Sequence, residues 1–169
     1  MDSGYICGDI TNTEIKEKLL NQIKSYEKHN NIKDIDVIIA TPPCQGMSVA
    51  NHKKAENEIN RNSLVVEAIN IINEVKPKFF IFENVQAFMK TKCFDNGVQK
   101  TISESISDNL SSNYIYIDKI LNFKNYGANS SRTRTVVIGV RKDLSDNILP
   151  YELFPDFKEE KTLKDIIYD

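Results

Sequence analysis

The chain has 169 residues, 40% hydrophobic and 27% charged, with a net charge of −2. That is enough for one domain with a real core, and it excludes a strongly basic protein that wraps nucleic acid. No apolar run approaches the roughly 20 residues that cross a bilayer, and the polar N-terminus with Asp2 is no secretory signal, so a cytoplasmic protein without membrane association is expected. The spacing predicts an exposed, charge-rich helix over Thr11–Lys28, with Ile15, Leu19, Leu20 and Ile23 on its apolar stripe. Asp36–Ala40 reads as a fully buried strand, and the polar stretch His52–Asn62 as a loop. Leu64, Ala68, Ile71, Ile72 and Val75 follow helical spacing up to Lys76-Pro77, and Phe79–Phe82 is the next buried strand. Val98, Ile102, Ile106 and Leu110 mark another helix, followed by strands over Tyr114–Leu121 and Thr135–Val140. Pro150–Lys161 reads as a linker, and Thr162–Tyr168 as a short helical ending. Strands alternating with helices argue for an α/β domain around a mostly parallel sheet.

Cys7, Cys44 and Cys93 are odd in number and widely spaced, so they form neither a disulfide framework nor a zinc cluster, and no metal site is expected. Cys44 is different in context. It sits in Pro42-Pro43-Cys44-Gln45-Gly46, directly after the apolar run Val37–Ala40. Two prolines fix the backbone on one side of a thiol at the carboxyl edge of a strand, where open α/β sheets place their chemistry. A second loop carries Glu83-Asn84-Val85 after Phe79–Phe82, and a third carries Arg132 and Arg134, two of the chain's four arginines. A thiolate, a carboxyl group and paired guanidiniums suit nucleophilic attack on an electron-poor ring. The thiolate adds, the carboxyl group donates a proton to a ring nitrogen, and the arginines hold a carbonyl oxygen or neighbouring phosphates.

In order and spacing these segments resemble the DNA cytosine-5 methyltransferases, mostly enzymes of bacterial restriction-modification systems. Gly8-Asp9-Ile10 is similar to the family's third motif. Asp36 through Thr41-Pro42-Pro43-Cys44-Gln45-Gly46-Met47-Ser48 resembles its nucleophile loop. Glu83-Asn84-Val85, 39 residues beyond Cys44, is similar to its Glu-Asn-Val motif. Tyr126-Gly127-Ala128-Asn129-Ser130-Ser131-Arg132-Thr133-Arg134 is similar to Tyr-Gly-Val-Pro-Gln-x-Arg-x-Arg, with Asn129 and Ser130 departing from the family's Pro and Gln. Arg61-Asn62-Ser63-Leu64 resembles the motif that opens the intervening helix.

The resemblance implies a Rossmann-like fold that uses S-adenosyl-L-methionine and acts on DNA. It implies Cys44, Glu83, Arg132 and Arg134 as catalytic residues. Asp9, Ile10, Pro43 and Leu64 would bind the cofactor, with Gln45 and Asn84 supporting the site. Asp9 has a second reading as a cap for the helix that begins near Thr11. The family's first motif, a Phe-x-Gly-x-Gly turn, has no counterpart here. Residues 1–149 are therefore expected to form a partial catalytic domain spanning the third to eighth motifs. Residues 150–169 would lead toward an absent target-recognition domain. A complementary polypeptide carrying the first motif and that domain is the expected partner. The alternatives are a non-catalytic remnant or a fragment that binds DNA or a partner without turnover, and an RNA-directed relative.

Overall fold

A computed structural model describes residues 4–43 and 62–159, together with Lys164 and Ile167. Helix α1 (Thr13–Asn30) precedes strand β1 (Val37–Ala40), helix α2 (Leu64–Val75) and strand β2 (Phe79–Asn84). Strands β3 (Lys92–Asp95) and β4 (Val98–Thr101), helix α3 (Ile102–Leu110), and strands β5 (Tyr114–Asn122) and β6 (Thr133–Arg141) follow. The main sheet has the order β1-β2-β6-β5, and β3 with β4 forms a separate hairpin. β1 and β2 are parallel, while β6 is antiparallel to both β2 and β5. Three of the four strands therefore point one way and β6 alone is reversed. The domain is α/β and Rossmann-like, with a sheet that is mixed in its pairings.

Sequence dictates the core simply. Val65, Ile69 and Ile72 recur at helical spacing and put one stripe of α2 onto the sheet, where Phe80 and Phe82 meet them. Ile102, Ile106 and Leu110 do the same for α3. All eight are fully buried, and each aliphatic side chain among them contributes about 1.5–3 kcal/mol. α2 stops at Lys76, which takes a left-handed conformation (φ 51°) before Pro77 removes the next donor. The Pro77 carbonyl accepts from the buried Tyr114 hydroxyl at 2.7 Å, and the Tyr114 ring meets Phe80 edge-on at 5.1 Å.

Gly139 in β6 lies opposite Phe80 in the ladder, and a Cβ there would overlap the Phe80 ring. Gly139→Ala is therefore expected to overpack the core by about 1–3 kcal/mol, lowering the melting temperature by roughly 2–12 °C. A differential scanning calorimetry trace identical to the native one would show that Phe80 has room to turn aside.

The structure revises three expectations. Val98 does not open a helix. It opens β4, and Asn96 and Gly97, both at positive φ, turn the β3–β4 hairpin. The helix starts at Ile102 behind a capping box: Glu104 N donates to Thr101 Oγ1 at 3.1 Å, and Thr101 N donates to Glu104 Oε2 at 2.7 Å. The hairpin hides Cys93, whose thiol burial and the nearby Asp95 carboxylate push up to about 11, leaving it inert. Asp95 is buried too. Burial pushes its carboxyl up, but donors from Asn109, Ser105 and Lys100 outweigh that and hold it below its ordinary value.

The second revision concerns β1, which is not fully buried. It is an edge strand with Val37 43% and Ile39 63% exposed, because only β2 pairs with it among the described residues. The third concerns residues 150–158, which are not a free linker. Pro150–Leu153 forms a 3₁₀ turn, Phe154 packs with Leu121 and Ile138, and Lys158 N donates to Asn125 O at 2.8 Å. Of the stretch His52–Asn62, expected to be a loop, only Asn62 is described, and it is buried; most of Thr162–Tyr168 also lies outside the described residues. Among those described, no helix is long and apolar enough to cross a membrane.

Candidate active site

Strand register brings the polar residues together. Glu83 is not in a loop but is the penultimate residue of β2, opposite Val136 of β6. Side chains alternate along a strand, so Arg134, two residues before Val136, shares the face of Glu83 as its diagonal neighbour. Arg134 Nε stands 3.1 Å from Glu83 Oε1, and Arg132 Nη2 lies 3.9 Å from the same oxygen. The two arginines differ in setting. Arg134 is 20% exposed and also donates to the Thr133 carbonyl at 2.8 Å, whereas Arg132 is 54% exposed. Glu83 is 30% exposed, so the cluster opens to solvent at the sheet's edge.

The next residue along β2 faces the other way. Asn84 is buried, and its Nδ2 donates to the Pro42 carbonyl at 2.8 Å, while its Oδ1 accepts from Val85 N at 2.9 Å. The parallel register pairs Ala40 with Phe82, which puts Pro42 level with Asn84. Asn84 thus ties the chain just beyond β1 to the end of β2. Cys44 and Gln45 lie outside the described residues, two and three positions past this tie.

On the β1 side a cavity of about 300 Å³ opens between α1, β1 and α2. Ile10, Pro43 and Leu64 line it, joined by Leu19, Ala68 and Ile71. Ala68 and Ile71 follow Leu64 at helical spacing, a signal that identifies them as one wall but that also fits ordinary core. The walls are apolar and suit the flat adenine face of S-adenosyl-L-methionine. Asp9 is not among the lining residues. Its Oδ1 accepts from Thr11 N at 2.9 Å and from the Thr11 hydroxyl at 2.8 Å, and these bonds hold its carboxyl below the ordinary carboxylate value. The helix cap proper is Asn12, which accepts from Glu14 N at 2.8 Å. Among the described residues no group of three or more His, Cys, Asp or Glu is placed to hold a metal ion.

The family model for the C-5 cytosine-specific DNA methylases matches residues 5–169. The chain belongs to that family. It is 33% identical over 134 residues to the type II methyltransferase M.FnuDI of Fusobacterium nucleatum, a match covering 79% of this chain and 37% of that protein. It is 32% identical over 160 residues to M.BsuRI of Bacillus subtilis, covering 90% and 33%. Among solved structures it is similar to a DNA modification methyltransferase encoded within a prophage of E. coli. That match has a TM-score of 0.64 and 29% identity, over 95% of this chain and 40% of the other. A Spodoptera frugiperda DNMT2 shares the fold, with a TM-score of 0.56 and 21% identity, over 94% of this chain and 50% of that one. The chain thus spans about a third of the length of these two curated relatives.

Proposed function

We propose that this member of the cytosine-5 methylase family carries the nucleophile and its acid partner for methylation of cytosine in DNA. We further propose that it works with a complementary polypeptide that supplies the rest of the enzyme. The observation that carries the reading is the Glu83–Arg134 contact on one face of β2, with Asn84 on the other face tied to Pro42, two residues before Cys44. In this reading the target cytosine leaves the helix, since a stacked base cannot offer its ring to a thiol. The Cys44 thiolate bonds to carbon 6. Electron density moves toward ring nitrogen 3, which Glu83 protonates, and carbon 5 becomes nucleophilic. S-adenosyl-L-methionine supplies the methyl group that carbon 5 takes. A base then removes the carbon 5 proton, nitrogen 3 returns its proton to Glu83 as the ring electrons return, and the carbon–sulfur bond breaks to release Cys44.

The supporting residues follow from their settings. Arg134, half-enclosed and against Glu83, orients the carboxyl group. Arg132, more exposed, reaches the cytosine carbonyl or the adjoining backbone. Ile10, Pro43 and Leu64 hold the adenine, with Asp9 at its margin. Asn84 and Gln45 keep the nucleophile loop in place. The companion polypeptide provides the first motif, the ribose-gripping acid and the domain that reads the DNA sequence.

Two measurements test the reading. Tritiated methyl incorporation into cytosine-containing DNA is expected when the chain is co-expressed with such a companion, and not from the chain alone. Isothermal titration of the isolated chain with S-adenosyl-L-methionine is expected to show binding no tighter than about millimolar, near −4 kcal/mol, because an apolar adenine slot alone leaves the rest of the ligand in water. Micromolar binding by the isolated chain would point to a cofactor site built from other residues. Co-expressed protein that binds DNA but never methylates it would favour a non-catalytic role.

A further inference from the structure

Phe157 is the second most exposed large apolar side chain described, at 76%, yet the backbone of the residue after it is tied to Asn125. Its ring stacks on Tyr126 with centroids 5.1 Å apart and planes 23° from parallel. Tyr126 also packs against the smaller core cluster of Leu121, Ile138 and Phe154, while Phe157 is largely exposed, so the pair is anchored through Tyr126 and open at Phe157. Phe154 already fills the core position of this segment, so burial does not account for Phe157.

The pair is joined to the Glu83 cluster by short backbone links. Lys158 N donates to Asn125 O at 2.8 Å, Ala128 N to Phe123 O at 3.1 Å, and Phe123 N to Arg132 O at 3.0 Å. Gly127 takes φ +87°, and a Cβ there would stand 3.2 Å from Lys158 Cδ, so the lysine arm lies across the turn. An open aromatic face, an exposed lysine and the exposed Arg132 therefore surround one turn beside the carboxyl group that would hold the base. Exposed Asp156 and Glu159 flank the segment and keep its net charge low, so stacking rather than bulk charge is its dominant chemistry.

We propose that the Tyr126–Phe157 pair is a nucleic-acid contact, on which a base or sugar next to the one held at Glu83 stacks, while Lys158 takes a flanking phosphate. The proposal rests on the DNA-methylating reading above. Each base stacked on an aromatic side chain is worth roughly 1–3 kcal/mol on alanine substitution, or about a 5- to 150-fold change in affinity.

The test is fluorescence anisotropy of the full chain with a fluorescein-labelled duplex carrying one mismatched cytosine, in low salt. Phe157→Ala should weaken binding by about 5- to 150-fold, and Phe157→Tyr should keep it, with thermal melts showing both variants folded. Lys158→Gln should weaken binding mildly and reduce the salt slope by about 0.9. Native affinity in Phe157→Ala, beside a native chain that binds the duplex, would overturn the stacking contact and leave the methylation reading standing. A native chain that binds no duplex even at low salt would likewise overturn the stacking contact, while the methylation reading is decided separately by methyl incorporation with the companion present. Should Phe157→Ala fail to fold, Phe157→Leu, which keeps apolar bulk without a ring to stack and should also weaken binding, and the photocrosslinking of a 5-iodouracil-substituted duplex decide. Adducts mapped to residues 126 or 157 support the contact, and adducts only elsewhere sink it.

Discussion

Replacing Cys44 by serine is expected to abolish methyl transfer by the assembled enzyme, with a loss of at least about 10⁴-fold. The proposed adduct needs a nucleophile that is substantially ionised near neutral pH and that also leaves again. A thiolate does both, whereas a serine hydroxyl needs an adjacent base to attack and makes a poorer leaving group. Position matters as well as chemistry. Asn84 fixes the Pro42 carbonyl, and the two prolines limit the backbone between that point and residue 44. The other cysteines supply the controls. Cys7 is exposed and distant in sequence from the Pro-Pro loop, so Cys7→Ser should leave turnover unchanged. Cys93 is fully buried in the hairpin, so Cys93→Ser should lower stability, because a hydroxyl placed there needs a partner. Tritiated methyl incorporation with the companion chain present, run beside a thermal melt of each variant, separates the outcomes. Native turnover in Cys44→Ser would remove Cys44 from the chemistry.

Much of this arrangement was legible before any coordinates, and the reasons are local. Pro42-Pro43 and Glu83-Asn84 each close an apolar run, and a strand that ends in polar residues places them at the sheet's edge. The convergence of Glu83 with Arg134 was expected from motif order, but its geometry depends on β6 running antiparallel to β2, with Glu83 opposite Val136. No residue pattern within β6 states that direction. The β3–β4 hairpin, by contrast, was written in the sequence. Asn96-Gly97 is a hairpin turn and Thr101-Ile102-Ser103-Glu104 is a capping box, but Val98, Ile102, Ile106 and Leu110 fall on a helical repeat that runs through both signals. The edge status of β1 had no local signature, because Val37–Ala40 reads the same whether one strand or two lie beside it. Phe157 was hidden for the opposite reason: two prolines and mixed charge resemble a linker, and only the strap's return to Asn125 makes the aromatic pair.

The isolated chain is expected to self-associate, through the free edge of β1. Three observations lead there. Val37 and Ile39 are exposed, on the face opposite the one that Ile38 and Ala40 turn toward the main core. The outer edge of β1 has no strand paired to it among the described residues, and an edge of that kind is a template for an added strand. Helix α1, which borders the cavity it shares with β1 and α2, has no fully buried side chain, and ion pairs join it to α2 at Lys16–Glu67 (2.9 Å) and Lys24–Glu74 (4.0 Å). Lys16–Glu67 is half-buried and Lys24–Glu74 exposed, and pairs still open to solvent contribute about 1 kcal/mol or less each, less than burying the helix's apolar stripe would add. A groove bordered by an open strand edge on one side and a loosely held amphipathic helix on the other is suited to an added strand, parallel to β1 and apolar on both faces. In the proposed assembly the companion polypeptide supplies it. Without the companion, a second copy is the nearest substitute. Light scattering coupled to size exclusion should therefore give a mass that rises with loading concentration. Ile39→Lys, a charge of the kind that protects natural sheet edges, should shift that rise to at least about tenfold higher concentration. Co-expression with the companion should suppress it altogether. A sharp monomer at every concentration, melting cooperatively at high temperature, would mean that the chain closes its own sheet, and the companion strand would lose its physical basis.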